Sequence, residues 1–250
     1  MSALVDGLVA RMEAMLAPLV ASGDGRRFFH ATYLRMTRAV GAEIDRGGFG
    51  DDEWTERWDV AFAGLYLDAC DAWTRGEPAP APWRVAFDAT TGPRLPPVRL
   101  VLLGMNAHVN YDLPLALLEV ITDLEFDDPE LISRRAADHR HIDDVLVDRV
   151  AAEDRELRVD ELPGDRSLLD RALTPFNRAG TKRFLKEARA KVWRNATALS
   201  HARREGAEAL GRRRRELEER SGARVADLLA PGQVILRLAR DGFGVVLDGA

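Results

Sequence analysis

The chain has 250 residues, 46% of them hydrophobic and 31% charged, and carries a formal net charge of −5. That length suits one large domain with a substantial core. The mild acidic balance lacks the clustered basic face of a nucleic-acid-binding protein and gives no attraction to an anionic membrane surface, so neither partner is expected.

Met1–Asp6 has neither the basic region nor the long apolar run of a signal peptide. No apolar stretch approaches the ~20 residues of a spanning helix, so no membrane span and a cytoplasmic location are expected. Leu4, Leu8, Met12, Met15 and Leu19 recur at three- and four-residue steps and predict a first amphipathic helix ending near Gly23–Gly25. A second runs from about Arg27 to Asp45. Asp51 and Asp52 supply capping oxygens for a third, with Trp54, Trp58, Phe62, Leu65 and Tyr66 on its inner side. Cys70, the single cysteine, lies in the same apolar pattern and reads as a buried packing thiol. Prolines 78, 80, 82, 93, 96 and 97 punctuate residues 76–97, which read as a long connection pinned to the core by Trp83 and Phe87.

A fourth helix starts near Pro97 and runs to about Ile121. Asp127-Asp128-Pro129-Glu130 opens a fifth, which ends before Leu162–Asp165. Leu168 to Phe176 reads as a short helix, and Thr181 to Ser221 as a long one stopped by Gly222. On the latter, Arg212–Arg215 and the following glutamates read as a solvated face of mixed charge. Val234 to Leu247 reads as a short helix ending at Asp241-Gly242, then an extended tail. The whole is an all-α single domain, residues 1–250, with a loosely attached C-terminal segment, 223–250.

The fourth helix is apolar at its ends yet reads Asn106, His108, Asn110 and Asp112 in its middle. His108 and Asp112 are four apart and share a face; Asn106 and Asn110 share another. Buried polar groups must be satisfied by partners, water or a metal. Pro114 cannot donate to the carbonyl of Asn110, so a kink is expected beside Asp112. His30 and Asp59 bring an imidazole and a carboxylate from two other apolar helices, accompanied by Tyr33 and Tyr66. Asp138, His139 and Asp143 offer a further set on the fifth helix, one face of which points inward. Imidazole with carboxylate suits zinc, iron or manganese.

The stretch Leu103–Leu117, with its Asn-Ala-His-Val-Asn-Tyr-Asp-Leu-Pro core, resembles the signature of a bacterial family of uncharacterised proteins common in actinobacteria. The resemblance extends over most of the chain, including Phe28–His30 and Trp193–Ala196. His108, Asp112 and Pro114 also resemble the histidine, aspartate and proline pattern of all-helical zinc-dependent phospholipase C and related single-strand nucleases. In that comparison His139 and Asp143 stand for a second pair. This second resemblance implies a multi-zinc site that polarises a phosphodiester. Here the proline follows the aspartate more closely than in those enzymes, and no histidine follows it.

Two functions are therefore in view. In the first, a metal-assisted hydrolase acts on a small-molecule substrate in a polar pocket between helices. His108 and Asp112 are its catalytic residues or ligands, His30 and Asp59 complete the metal set, and Asn106, Asn110, Tyr33 and Tyr66 bind substrate. In the second, the same side chains form a buried network in a non-catalytic small-molecule-binding or scaffold protein.

Overall fold

The computed structural model describes residues 3–93, 95–159, 178–230 and 242–249, and among these it contains helices and no strands. The helices are α1 (Ala3–Ser22), α2 (Arg26–Asp45), α3 (Asp52–Thr74), α4 (Ala81–Thr91), α5 (Pro97–Ala107), a π-helical turn (His108–Asp112), α6 (Leu113–Val120), α7 (Asp123–Phe126), α8 (Pro129–Val159), α9 (Arg178–Glu205) and α10 (Ala207–Leu229). The helix expected over 168–176 and the short helix expected from Val234 fall outside the described residues. No described helix is long and apolar enough to cross a membrane.

The first three helices begin and end close to where the sequence signals stand. Asp51 caps α3, its carboxylate accepting from the Trp54 amide at 2.9 Å. Trp54, Trp58, Phe62 and Tyr66 are all buried on its inner face, and Cys70 is buried beneath them. On α1 the inward stripe is Val5, Leu8, Val9 and Met12, whereas Leu4 points outward at 54% exposure.

Residues 76–97 are not one long loop, because they contain α4. Proline is tolerated in the first helical turn, where its missing N–H has no partner to lose. Pro80 caps α4 and Pro82 lies in that turn. The exposed amide of Ala81 finds Glu218 Oε1 on α10 at 2.8 Å. Trp83 and Phe87, four apart on α4, are buried and stack at 5.3 Å between centroids.

The long C-terminal helix is likewise divided. Gly206 adopts φ +120, which only glycine takes without strain, and reverses the chain between α9 and α10. Gly222 does not stop α10, which continues to Leu229. A Cβ at Gly222 would lie 3.2 Å from that of Ala81, so its small size lets α10 approach α4.

The centre of the molecule is the continuous rod α5–π–α6. Its first half packs against α2, α4 and α10, its second against α3 and α9. Phe29, Leu67, Trp83 and Leu103 share one core cluster, and Trp58, Leu113, Leu117 and Val192 share a second. Gly104 sets the spacing of rod and α2, because a Cβ there would overlap the Phe29 ring. Gly104→Ala gains helix propensity yet forces that ring aside. Overpacking of this kind costs about 1–3 kcal/mol. Chemical denaturation should show a net loss of stability, and an unchanged or higher midpoint would contradict this close contact.

Candidate functional site

The sequence from Asn106 to Pro114 forms the π turn and its two flanks. Leu113 N–H donates to the carbonyl of His108, five residues back, so one extra residue is accommodated in the rod. Pro114, which has no N–H, falls in the first turn of α6. The expected kink is thus expressed as a widened turn. Its polar side chains divide between two environments.

His108 and Asp112 point inward. His108 Nδ1 and Asp112 Oδ2 are 2.8 Å apart, and Trp83 Nε1 donates to the same oxygen at 2.9 Å. The imidazole stacks on Phe62, 3.6 Å between centroids and 6° from parallel. Tyr33 meets it edge-on at 4.5 Å, and Phe29, Trp83 and Tyr66 close the remaining sides at about 6 Å. His108 is 4% exposed and Asp112 1%. Burial pushes the carboxyl of Asp112 well up and the imidazole of His108 well down, so both resist ionisation. Burial works against the charged form of each partner, and an ion pair here would carry a large desolvation cost.

Asn106 and Asn110 point the other way, and both donate to the carbonyl of Phe243 at 3.1 Å. Asn110 Oδ1 also accepts from the Val245 amide at 3.0 Å. The two residues expected to orient substrate therefore hold the protein's own C-terminal segment.

The four residues expected as one metal set do not converge. His30 Nε2 donates to the carbonyl of Met12 at 2.8 Å. Its Nδ1 consequently accepts from the Tyr66 hydroxyl, also at 2.8 Å. Both nitrogens are engaged, so His30 is a satisfied core residue one aromatic ring away from His108. Asp59 is buried, and its Oδ2 has no hydrogen-bond partner. Burial alone pushes its carboxyl up to about 7. The Tyr33 hydroxyl lies in the field of Asp59 and Asp112 and beside Thr37, without closing a hydrogen bond of ordinary geometry.

The set on α8 is dispersed too. Asp138 accepts from the amides of Gly50 and Asp51 at 2.7 and 3.1 Å, ordering the approach to α3. His139 is buried against Trp58 and Trp193 with neither nitrogen hydrogen-bonded. Asp143 takes the buried Arg189 guanidinium, Nε at 2.8 Å. Among the described residues, no three or more His, Cys, Asp or Glu side chains gather where a metal ion could sit.

Some contributors went unread in the sequence. Phe62 and Trp83 were assigned to packing alone. Asn195 lies within the apolar surroundings of Val192, Ala196 and Leu199 on α9, a signal of the same kind as Asn110. On the face expected to be solvated, Arg213 and Glu216 contact Asp248, and Arg220 one turn further contacts Val246. A cleft of about 600 Å³ opens between α8 and α9, lined by Trp193, Thr197, His201 and Arg213 among others. None of the predicted site residues lines it.

The fold and site define an all-helical protein with a closed, aromatic-walled polar pair on one side of a π turn and a side-chain clamp on the other. Residues 5–231 match a family of unknown function (DUF5995), and the chain belongs to that family. No curated protein and no solved structure matches it.

Asp59 gives this site a pH signature. Unfolded, its carboxyl ionises near 3.8; folded, it keeps its proton to about 7. The folded state binds the extra proton in that window, so this contribution is full at low pH and is lost as pH rises to about 7. The loss amounts to up to about 4 kcal/mol. Asp59→Asn should therefore gain stability relative to the parent between pH 5 and pH 8 in urea titrations. A difference that does not change with pH would show that Asp59 ionises normally.

Proposed function

We propose that this is a non-catalytic binding or scaffold protein, in which His108, Asp112 and Trp83 form a buried network that fixes the central rod. The enclosure of the His108–Asp112 pair by Phe29, Tyr33, Phe62, Tyr66 and Trp83 carries this reading. A catalytic acid–base pair needs to reach its substrate directly or through one water. Here both groups are shut in, Asn110 is bonded to the tail through both side-chain atoms, and Asn106 through its nitrogen, its Oδ1 lacking a partner. The binding function then belongs to the outer side of the turn, and the inner side holds that side in place.

On this reading His108→Ala leaves Asp112 short of a partner and opens a void beneath Phe62. Leaving a buried polar group unsatisfied costs about 1–3 kcal/mol. His108→Gln, which keeps a polar group for Asp112, should lose less. Equal losses for the two variants, or none, would count against a network role.

A metal-free acid–base hydrolase is the second reading, favoured by His108 Nε2 and Asp59 Oδ2, which are buried without partners. Under it the aromatic wall would have to open for substrate to reach His108 and Asp112. Among the described residues, the set His30, Asp59, His108 and Asp112 does not fit a resident zinc, iron or manganese ion, because His30 faces Met12 and Tyr66 instead of Asp112. Elemental analysis of protein purified without a histidine tag should find these metals well below one per chain, and adding them should not raise the melting temperature. A stoichiometric metal with a raised melting temperature would restore the metal-assisted form of the hydrolase.

A further inference from the structure

Between a bend at Phe243 and a turn at Asp248, residues 244–247 run without helix or turn between α9 and α10, and side chains satisfy the backbone of 243–248 almost atom by atom. Glu187 accepts from the Phe243 and Gly244 amides at 3.0 and 3.3 Å. Lys191 donates to the Gly244 carbonyl at 2.9 Å. Asn195 donates to the Val245 carbonyl and accepts from the Leu247 amide, each at 3.0 Å. From α10, Arg220 donates to the Val246 carbonyl at 3.0 Å, Glu216 accepts from the Asp248 amide at 2.8 Å, and Arg213 donates to the Asp248 carbonyl at 2.9 Å.

The asparagines follow a rule. Asn110 bridges the carbonyl of residue 243 and the amide of 245; Asn195 bridges the carbonyl of 245 and the amide of 247. A parallel β-ladder makes this same i to i+2 bridge with a backbone amide. On α9, Glu187, Lys191 and Asn195 are four apart, about 6 Å per step along one helix face. Glu187 meets residues 243 and 244, Lys191 meets 244, and Asn195 meets 245 and 247, so one helix face follows the segment from end to end. Phe243 and Leu247 bury their side chains in separate core clusters at the two ends.

We propose that this face is a groove for an extended peptide, which the chain's own residues 243–248 fill in cis and which accepts a peptide of the same pattern in trans. This deepens the binding reading above and rests on it. The ligand is an extended segment with an aromatic residue, an aliphatic residue four positions later, an acidic residue after that, and no proline where Asn110 and Asn195 accept amides. Backbone readout tolerates other residues between these anchors, as in strand addition to a sheet edge. The reading residues Asn106, Asn110, Glu187, Lys191, Asn195 and Glu216 all lie within the family match at 5–231, whereas the occupant lies beyond it. The groove side chains thus lie inside the matched region and the cis occupant outside it. Past Asp248 it continues at Gly249 into the cleft beside Trp193 and His201, which leaves room for a longer ligand.

The test uses the full chain with a weakened tail, Val245→Pro with Leu247→Asp, and a fluorescein-labelled synthetic peptide of residues 242–249. Val245→Pro alone, which removes only the N–H accepted by Asn110, is the milder form should the double variant not fold. Anisotropy should show the peptide binding the weakened chain about tenfold or more tighter than the parent, whose tethered segment competes at high effective concentration. A peptide with proline in place of Val245 and Leu247 should not bind, and adding Asn195→Ala to the weakened chain should abolish binding. No binding, equal binding by parent and variant, or binding of the proline peptide overturns the proposal. Dimerisation of the weakened chain without peptide binding overturns it in favour of tail exchange between copies. The His108 variants do not enter this experiment, so failure here leaves the closed-network reading to its own test.

Discussion

Between Asn106 and Asp112 the central rod carries four buried polar side chains in an otherwise apolar helix, and each must find a hydrogen bond inside the protein. They divide between two faces. His108 and Asp112 face α3 and α4, and Asn106 and Asn110 face the tail. The rest of the structure follows from this partition. Trp83 is needed on α4 to give Asp112 a second donor. Phe62 and Tyr33 enclose an imidazole whose charged form burial disfavours. The segment at 243–247 is needed to give the asparagines a peptide to hold.

The inner side of the turn was the more legible one. His108 and Asp112 share a face by arithmetic, and the structure pairs them at 2.8 Å. What sequence cannot convey is where a helix face points relative to other helices. His30 sits on an apolar helix just as His108 does, but its neighbours are the Met12 carbonyl and the Tyr66 hydroxyl, which complete its hydrogen bonds before any metal is needed. Asn106 and Asn110 were recognised as a second polar face. Their partner lies more than 130 residues away in an extended segment, and no local pattern announces such a contact. The prolines around α4 misled for a different reason. Proline breaks a helix interior but suits its first turn, so Pro80 and Pro82 mark where α4 begins and Pro93 lies just past its end. The break at Gly206 and the passage through Gly222 reverse the ordinary reading of two glycines, because one is required for its backbone conformation and the other for its lack of a side chain.

The charged groups fall into two energetic classes. At the surface, pairs such as Arg11 with Asp68 and Arg57 with Glu53 are exposed and contribute little to stability. The groove residues differ because their partners are backbone atoms of the tail, half-buried or buried, which would lose water without replacement if the side chains were absent. Part of the mixed charge along α9 and α10 therefore serves a backbone, while Arg212 and Glu208 pair in solvent four residues apart as the sequence predicts. Arg213, Glu216 and Arg220 look like an ordinary solvated stripe in sequence because a helix that pairs with water and one that pairs with an extended chain need the same residue types.

The two sides of the turn are coupled through the backbone they share. Asn110 lies between His108 and Asp112 in sequence, and its amide bonds the tail on both sides of residue 244. A ligand that replaces the tail must re-form those bonds or leave Asn110 buried and unpaired. Conversely, a change in the His108–Asp112 pair alters the turn that presents Asn110. Any such coupling is reciprocal by thermodynamic necessity: if emptying the groove raises the proton affinity of His108, then protonating His108 weakens the groove by the same free energy. The widened turn is the element through which both are expressed, since it is the one place in the rod where the helical register is already displaced.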